Sequence, residues 1–200
     1  MRIGPKYKIA RRLGAPIFEK TQTQKFALSE EKKSRRGGRP KTDFGLQLTE
    51  KQKARFFYGV SEKQFKNYVK EALSKKGVIP ASELLSLLES RLDNVVWRLG
   101  FAPTHGAARQ MVSHGHITVN ARKSRVPSCR VNVDDEIGLR EGSKTSPLFA
   151  SILEKGIERE LLPWLSYDDK KKTATVKGKP VAPENALMFD LGQVIEFYQR

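Results

Sequence analysis

The chain has 200 residues, and 38 Lys or Arg against 22 Asp or Glu give it a net charge of +16. This charge favours a polyanionic partner, either nucleic acid or an anionic membrane surface, and disfavours an acidic protein as the only partner. No stretch approaches the roughly 18 consecutive apolar residues of a membrane-spanning helix, and no apolar core follows the N-terminal basic residues. We therefore expect a soluble protein that is not exported.

The basic residues are concentrated near the N-terminus. Residues 1–80 carry 21 basic and 7 acidic side chains, whereas residues 81–200 carry 17 and 15. Within the first 45 residues, apolar side chains are sparse, and the sequence SRRGGRPK, from Ser34 to Lys41, contains residues that oppose regular structure. This pattern predicts an extended basic arm over residues 1–45, which a negatively charged partner orders.

Three helices are predicted in the next part of the chain. The first covers LTEKQKARFFYG, with Thr49 as its N-cap. Ser61 and Gln64 have the spacing of a capping box at the start of the second. Its apolar residues share one helical face: Phe65, Tyr68, Val69, Ala72 and Leu73. The third helix is the longest, because leucine and valine recur at helical spacing from Ser82, its expected N-cap, to Gly100.

A short helix is predicted over THGAARQMVSH, with Thr104 as its N-cap and His114 at its end. Its buried side has three apolar residues: Ala108, Met111 and Val112. Its opposite side has three polar residues spaced by four: His105, Arg109 and Ser113. We therefore expect this helix to present polar and basic groups on the side away from the core.

Short segments of alternating polarity follow, and they predict a small antiparallel sheet. They are HITVNA, SRVPS, CRVNV and EIGLRE, at residues 116–121, 124–128, 129–133 and 136–141. The C-terminal part predicts a helix near residues 148–161, a charged hairpin around residues 170–179 and an amphipathic segment, ALMFDLGQVIEFY. Helices combined with a small antiparallel sheet make the predicted fold class α+β.

One part of the chain carries charges of a single sign. Between Asp93 and Asp134 there is no acidic residue, yet this stretch contains six basic residues and all three histidines. An ordinary solvated face usually mixes both signs, so the pattern favours an anion-binding surface. The histidines, His105, His114 and His116, could form a metal site, but no carboxylate lies near them in the sequence. We expect them to be exposed or to contact phosphate, and we expect no metal.

The sequence RLDNVVWRLGFAPTHGAARQMVSHGHITVNAR, at residues 91–122, resembles the S-four RNA-binding domain. In that domain a helix pair and the following strand form a basic surface for structured RNA. The resemblance implies that RNA faces the second helix at Arg109, Gln110, Ser113 and His114, and that Arg122 and Lys123 extend this surface. An Arg fork can bind phosphate oxygens in a bidentate manner, and a row of side chains on a helix fits folded RNA by its shape.

The flanking sequences indicate which S-four-domain family this is. FGLQLTEKQKARFFYGVSEKQFKNYVKEA and LLSLLESRLDNVV are similar to the helical part of the S-four family of small-subunit ribosomal proteins. PWLSYD and VIEFYQR resemble that family's C-terminal segment, and GPKYKIARRLG resembles its N-terminal arm. The resemblance covers essentially the whole chain, in order and at the family's length.

The sequence departs from the family pattern at three places. Some members hold a four-cysteine zinc site in the arm, but the only cysteine here is Cys129, so we expect no zinc. Where the family usually has Asn-Gly in a hairpin, this chain has Asn120-Ala121, and alanine disfavours the left-handed conformation of such a turn, so a different turn is expected. His105 stands where many members have Arg, so a permanent charge there is not expected.

The resemblance implies a three-part organisation. Residues 1–45 form the basic extended arm, residues 46–90 and 142–200 form a mainly helical body, and residues 91–141 form the inserted S-four domain. From charge, position and resemblance together, we expect RNA contacts at Arg11, Arg12, Arg35, Arg36, Arg39, Lys41, Lys53, Arg55, Lys66, Lys70, Arg109, Gln110, Ser113, His114, Arg122 and Lys123.

The family also implies the function. The protein is expected to be a structural constituent of the small ribosomal subunit, a primary binder of its RNA that starts assembly of the subunit body and contributes to translational accuracy. Expected partners are small-subunit ribosomal RNA, small-subunit protein five and messenger RNA near its entry channel. No cofactor, small-molecule substrate or enzymatic activity is expected. The expected location is the cytoplasmic ribosome, with an organellar ribosome as the alternative.

Three other classes of protein compete with this interpretation. Pseudouridine synthases with an S-four domain carry a catalytic aspartate in a tripeptide similar to RLD at residues 91–93, but there the domain precedes a large catalytic domain, whereas only about 60 residues follow it here. We therefore expect Asp93 to be a structural carboxylate that pairs with a nearby base.

A free RNA chaperone would not need the arm and the C-terminal extension. A membrane-surface protein would need a basic amphipathic helix with exposed aromatic residues.

Overall fold

A computed structural model describes residues 3–34, 42–147, 149–150, 160–181 and 187–200. The α-helices in these residues are α1 Lys6–Leu13, α2 Gln24–Ser34, α3 Asp43–Phe57, α4 Glu62–Ser74, α5 Pro80–Glu89, α6 Leu92–Arg98, α7 His105–His114, α8 Glu141–Lys144 and α9 Leu191–Gln199. The strands are β1 Ile117–Val119, β2 Arg122–Lys123, β3 Glu136–Leu139, β4 Leu165–Asp168 and β5 Thr173–Val176. A 3₁₀ helix spans Glu19–Thr21. The α+β class is confirmed.

The chain folds as two compact units. The first unit comprises Met1–Leu84 and Pro183–Arg200, and the second comprises Leu85–Ala182. The grouping expected from the sequence places residues 142–200 with the helical body, whereas the structure places most of that segment in the second unit. The reason is that strand β5 pairs with β3, so the C-terminal hairpin extends the sheet of residues 117–139.

The N-terminal segment is not extended where the structure describes it, so that prediction is wrong for residues 6–13 and 24–34. Helix α1 ends at Gly14, whose φ of 68° is the left-handed cap conformation. The apolar residues of the segment form a buried cluster with one residue of α3: Ala10, Leu13, Ala15, Ile17, Phe18, Phe26 and Phe56. Sparse apolar residues were enough to form helices because they pack together and against α3.

Helix α3 begins earlier than its pattern predicts. Its N-cap is Thr42, whose side chain accepts a hydrogen bond from the backbone N–H of Gly45 at 3.3 Å. Thr49 lies inside the helix and donates to the carbonyl of Gly45 at 2.7 Å, so the predicted cap is wrong. The cap of α4 is confirmed, because Ser61 accepts from the N–H of Gln64 at 3.3 Å. Four of its five predicted face residues are buried: Phe65, Tyr68, Val69 and Ala72.

The long helix predicted from Ser82 to Gly100 is wrong, because the structure has two helices there, α5 and α6. Helix α5 begins at Pro80, and the chain becomes extended at Arg91, with ψ of 135°. The N–H of Val131 donates to the carbonyl of Ser90 at 2.9 Å, and the N–H of Leu92 donates to that of Cys129 at 2.8 Å. These bonds to a distant segment replace helical ones and break the helix.

Arg91 and Asp93 form a buried pair at this break. The Arg91 guanidinium donates two hydrogen bonds to the Asp93 carboxylate, at 3.0 and 2.7 Å. Asp93 also accepts from the N–H of Asn94 at 3.0 Å. The prediction that Asp93 is a structural carboxylate paired with a nearby base is therefore confirmed.

The cap and the buried side of α7 are confirmed. Thr104 accepts a hydrogen bond from the N–H of Ala107 at 3.1 Å, and the helix ends at Gly115 with φ of 73°. The buried residues of α7 pack in one core with α6 and the sheet, and they are Ala108, Met111 and Val112. The polar side of α7 therefore points away from this core.

The sheet has five antiparallel strands in the order β2-β1-β3-β5-β4. The segments at residues 124–128 and 129–133 do not form strands, so two of the four predicted strands are wrong. Their backbone instead serves the break between α5 and α6: the N–H of Asp93 donates to the carbonyl of Pro127 at 3.1 Å, and Arg130 forms a single bridge with Arg91. A proline within a strand-like segment is consistent with this outcome.

The C-terminal predictions are confirmed where the structure describes these residues. Strands β4 and β5 form the charged hairpin, and the amphipathic segment contains α9, with Leu191, Val194 and Ile195 buried. Helix α9 packs against α3, and Gln47 donates to Glu196 at 3.0 Å. Most of the helix predicted near residues 148–161 lies outside the described residues.

Candidate nucleic-acid interface

Helix α7 carries four of the predicted RNA contacts on its outer side. Arg109 is half-buried, and Gln110, Ser113 and His114 are exposed. The Ser113 hydroxyl donates to the carbonyl of Arg109 at 2.8 Å. We call these four residues the α7 surface. A helix holds them at fixed spacing, so binding a ligand costs little further backbone ordering.

Lys123 lies over the C-terminal end of this helix. A Cβ atom added to Gly115 would overlap the Lys123 side chain and would come within 3.3 Å of Cγ of Arg125. Gly115 also has a positive φ of 73°, which favours glycine. The structure therefore brings Lys123 to the end of the α7 surface, as the set of contacts predicted from the sequence requires.

A cluster of cations surrounds Lys123. Desolvation, together with the charges of Arg125 and Arg140, lowers the pKa of Lys123. Desolvation and the charges of His114, Arg140 and Lys123 lower the pKa of His116. In the described part of the second unit, no carboxylate forms an ion pair with Lys123, Arg125 or Arg140. Cations that destabilise one another in this way are stabilised by an anionic ligand.

His116 lies beside this cluster, and its ring is fixed by packing. Its Nδ1 lies 3.0 Å from Oγ of Ser143, and its ring meets that of Phe149 edge-on, with 5.5 Å between centroids. The rings of His114 and His116 are 6.0 Å apart. Because its pKa is lowered, His116 is neutral at pH 7 and donates or accepts hydrogen bonds without adding charge.

The β1–β2 turn keeps the conformation that an Asn-Gly turn has. Asn120 and Ala121 have φ of 50° and 62°, so the expectation of a different turn is wrong. The Asn120 side chain donates to Asp135 at 2.7 Å and accepts from the N–H of Glu136 at 2.8 Å. These bonds hold the turn despite the strain at Ala121, and they fix the position of the exposed Arg122 that follows it.

His105 is tied to the protein interior. Its ring stacks on that of Trp97 with 3.9 Å between centroids, and its Nε2 lies 3.2 Å from Oδ1 of Asn94. Arg98 forms two hydrogen bonds with the fully buried Glu89, at 3.0 and 2.7 Å. The side chains of His105 and Arg98 therefore support the fold of α6 and α7, although the sequence pattern counts both with the basic surface.

The predicted contacts in the first unit differ in how exposed their side chains are. Arg11 and Arg12 in α1 and Lys66 and Lys70 in α4 are exposed. Lys53 is 16% exposed and bonds to Glu50 at 2.6 Å. The predicted residues Arg35, Arg36, Arg39 and Lys41 lie outside the described residues.

Arg55 is also held within the fold of the first unit. It is 16% exposed, donates to Gln52 at 3.0 Å and lies 3.5 Å from Glu62. Like Lys53, it would have to give up an internal partner in order to contact RNA.

Sequence reasoning missed two members of the cation cluster, Arg125 and Arg140. Arg125 lies within the stretch without acidic residues, so the charge pattern contained the information that it belongs there. Arg140 lies beyond that stretch and joins the cluster because its N–H donates to the carbonyl of His116 at 2.8 Å. Alternation along β3 could have indicated this, since Ile137 and Leu139 face the core and Arg140 does not.

Metal binding and membrane insertion are the chemical alternatives to an RNA surface. Among the residues that the structure describes, no group of three His, Cys, Asp or Glu side chains is arranged to hold a metal ion. Over the same residues, none of the helices has the length and apolar character to cross a membrane.

Comparison with known proteins identifies the family. The family model described as "Ribosomal protein S4/S9 N-terminal domain" matches residues 1–89, and the one described as "S4 domain" matches residues 90–137. The small ribosomal subunit protein uS4 of Thermus thermophilus is 42% identical over 207 residues, which cover 99% of this chain and 98% of the relative. The proteins of the same name from Delftia acidovorans and Desulfitobacterium hafniense are 41% and 39% identical, over at least 98% of both chains in each pair. The chain therefore belongs to the uS4 family of small ribosomal subunit proteins, which is the S-four family that its motif resembles.

Proposed function

We propose that this protein binds small-subunit ribosomal RNA as a structural, non-enzymatic component of the small ribosomal subunit. The observation that carries the proposal is the α7 surface, together with the cations at its C-terminal end. Arg125 and Arg140 lie close enough to Lys123 to depress its pKa, and carboxylates of the described part of the unit form no ion pair with these three residues. An RNA phosphate is the anion that a ribosomal S-four domain meets.

The chemistry favours recognition of RNA shape. Arg109 can bind two phosphate oxygens with its planar guanidinium, whereas Lys123 acts as a point charge. Gln110, Ser113 and His114 add donors and acceptors for phosphate and ribose hydroxyls. Side chains in a rigid row contact the backbone of a folded RNA, whose deep major groove hides the base edges.

The finer organisation belongs to the same proposal. Residues 91–141 act as an S-four domain inserted between residues 46–90 and residues 142–200, whose strands β4 and β5 extend its sheet, and the basic arm at residues 1–45 extends the contact with RNA. Bound at a junction of several RNA helices, these cations neutralise phosphates that would otherwise repel one another. The compact form of the junction is then favoured, so early binding starts folding of that RNA region and assembly of the subunit body.

The further partners follow from family membership. We infer a direct contact with small-subunit protein five, a position near the entry of messenger RNA, and a role with proteins five and twelve in translational accuracy. The protein acts in the ribosome of the cytoplasm. A free RNA chaperone is the alternative function, and it differs in having no preference for ribosomal RNA.

The test is a comparison of two RNAs. The purified full-length protein is titrated against the five-prime domain of small-subunit ribosomal RNA and against an unrelated structured RNA of equal length, over a series of salt concentrations. We expect tighter binding of the ribosomal RNA that persists near physiological salt, because specific contacts add to counterion release. Equal affinities that vanish together as salt rises would leave a nonspecific basic RNA binder and refute the proposal.

A further inference from the structure

The sheet of the second unit has one face that the core does not cover. Residues that are directly opposite each other in the register point to the same side, and Thr118, Gly138 and Thr173 share one side of β1, β3 and β5. Their neighbours Ile137 and Ala174 point to the other side and are fully buried in the core with α6 and α7. We call the side of Thr118, Gly138 and Thr173 the open face.

A cleft of about 420 Å³ lies on the open face. Four cationic side chains line it: Arg140, Lys144, Lys171 and Lys172. Arg140 joins it to the cation cluster, because it lies next to His116 in the pairing of β1 and β3. None of these four residues is in the set of RNA contacts predicted from the sequence.

The cations of the cleft are available to a ligand. Lys144 pairs with Glu141 at 2.7 Å and Lys172 pairs with Asp169 at 2.8 Å, but these carboxylates are 86% and 69% exposed. Ion pairs with carboxylates this exposed contribute little to stability in water, so a phosphate can displace the carboxylate. Within the described residues of this unit, Arg140 and Lys171 form no ion pair.

The turn between β4 and β5 fixes two of these lysines. The Asp168 carboxylate accepts hydrogen bonds from the N–H groups of Lys170 and Lys171, at 2.9 and 3.2 Å. Lys172 follows with φ of 55°, the left-handed conformation of a tight turn. Because the backbone is already ordered here, binding through Lys171 and Lys172 costs only side-chain entropy.

The floor of the cleft presents acceptors. Thr118 donates its hydroxyl hydrogen to the carbonyl of Gly138 at 3.2 Å, and Thr173 donates to the Glu136 carboxylate at 2.7 Å. Both hydroxyl oxygens therefore keep only lone pairs for a ligand. Gly138 lies buried between them, and a Cβ added there would lie 3.1 Å from Cγ2 of Thr173 and 3.5 Å from Oγ1 of Thr118, so glycine lets the two hydroxyls come close together.

Cations around a floor of acceptors match the backbone of RNA. Its phosphates accept from Arg and Lys, and its ribose 2′-hydroxyl donates, as the free lone pairs of Thr118 and Thr173 require. An acidic peptide fits less well, because its side-chain carboxylates only accept hydrogen bonds and cannot donate to Thr118 and Thr173. We propose that the open face binds the ribose–phosphate backbone of a second RNA segment. That segment is distinct from the one at the α7 surface, because the core lies between the polar side of α7 and the open face.

This inference rests on the proposed function, and its test uses the same ribosomal RNA and the full-length protein. The variant Lys171→Gln/Lys172→Gln removes two charges from the open face and leaves Arg140, which the open face shares with the cation cluster, in place. Lys63→Gln/Lys76→Gln removes two exposed charges from α4 and the loop after it, and serves as the matched control. A third variant, Arg109→Gln, removes one charge from the α7 surface and identifies the RNA segment that this surface contacts. For each protein the affinity, its salt dependence and the riboses protected from hydroxyl radicals are measured.

We expect Lys171→Gln/Lys172→Gln to bind about 10-fold more weakly than the control and to lower the salt slope by about 1 to 2, as loss of two phosphate contacts requires. It should lose protection of one RNA segment that Arg109→Gln retains. Affinity within twofold of the control would overturn the inference, as would loss of the same segment in both variants or weakening without loss of any one segment. If the proposed function itself is wrong, the wild-type protein will not prefer this RNA over an unrelated one, and that outcome is distinct from the loss of one segment in a variant.

Discussion

The guanidinium of Arg91 and the carboxylate of Asp93 are joined by two hydrogen bonds at the point where α5 ends and α6 begins. Arg91 is 0% exposed and Asp93 is 5% exposed, so both charges are out of water. The backbone beside them bonds to Pro127 and Cys129, and the pair thus fixes the direction in which α6 leaves the break. Helix α7 packs on α6, so the position of the α7 surface depends on this pair.

Asp93→Asn tests the structural role of the pair. Removing the carboxylate charge leaves the Arg91 cation buried without its counter-charge, and we expect a loss of about 3 to 5 kcal/mol in the free energy of unfolding. Denaturant unfolding measures it. Glu141→Gln, which removes one partner of an exposed ion pair, should change that free energy by less than about 1 kcal/mol. Similar small losses in both variants would contradict the role given to Asp93.

The break at Arg91 shows what local patterns can predict. The caps at Ser61 and Thr104 and the buried side of α7 were predicted correctly, because capping and periodicity act within a few residues. The break depends on bonds from Ser90 and Leu92 to residues about 40 positions away, which periodicity does not contain. In the same way, nothing local indicates that β5 pairs with β3.

Gly115→Ala tests the placement of Lys123 over the end of α7. Alanine at a positive φ costs about 1 to 2 kcal/mol, and the added Cβ displaces the Lys123 side chain. Gly14→Ala is the matched control, since Gly14 has φ of 68° at the end of α1 and nothing lies within 4 Å of an added Cβ. We expect similar losses of stability in both, with RNA affinity reduced several-fold only in Gly115→Ala. Equal RNA affinities in the two variants would show that Lys123 does not need this position.

Ala121→Gly tests the strain in the β1–β2 turn. Ala121 has φ of 62°, a conformation that glycine adopts without steric cost. Relief of this strain stabilises the folded state, whereas the greater entropy that glycine loses on folding offsets part of the gain. We therefore expect a net gain of about 0.5 to 1 kcal/mol in the free energy of unfolding. Ala107→Gly, in helix α7, should instead lose about 1 kcal/mol. A loss at both positions would mean that Ala121 is not strained.

The candidate site was predicted in part, for reasons that depend on particular residues. The residues on α7 share one helical side, and spacing alone indicates this. Lys53 and Arg55 were chosen for their charge, but each has an internal partner that the sequence does not reveal. Arg140 was missed because it reaches the cluster through pairing of two strands that lie 20 residues apart, as Thr118 and Gly138 do.

Glu62 gives the first unit a predictable dependence on pH. Desolvation raises its pKa, but hydrogen bonds from Lys51 and Tyr198 and the charges of Lys51 and Arg55 outweigh this, so the net pKa lies below its ordinary value of 4.5. The folded state therefore binds the proton less tightly than the unfolded state. Its contribution to stability is complete above pH 4.5 and is lost as the pH falls through the lowered pKa.

Glu62→Gln should remove this contribution. We expect the difference in the free energy of unfolding between wild type and Glu62→Gln to be largest near pH 7 and to shrink as the pH falls below 4.5. Tyr198→Phe, which deletes the hydrogen bond at 3.0 Å, should show a smaller acid-sensitive difference. A difference that stays constant between about pH 7 and pH 3 would mean that Glu62 is not stabilised in its charged form.

The most direct test of RNA binding by the α7 surface is the affinity of Arg109→Ala for the five-prime domain of small-subunit ribosomal RNA at near-physiological salt. We expect a loss of about 1 to 3 kcal/mol of binding free energy relative to wild type, because a bidentate contact with phosphate is removed. Lys63→Ala, a change of an exposed cation outside the site, should have little effect. Equal and negligible losses in both variants would contradict the assignment of the α7 surface as the site that binds this RNA.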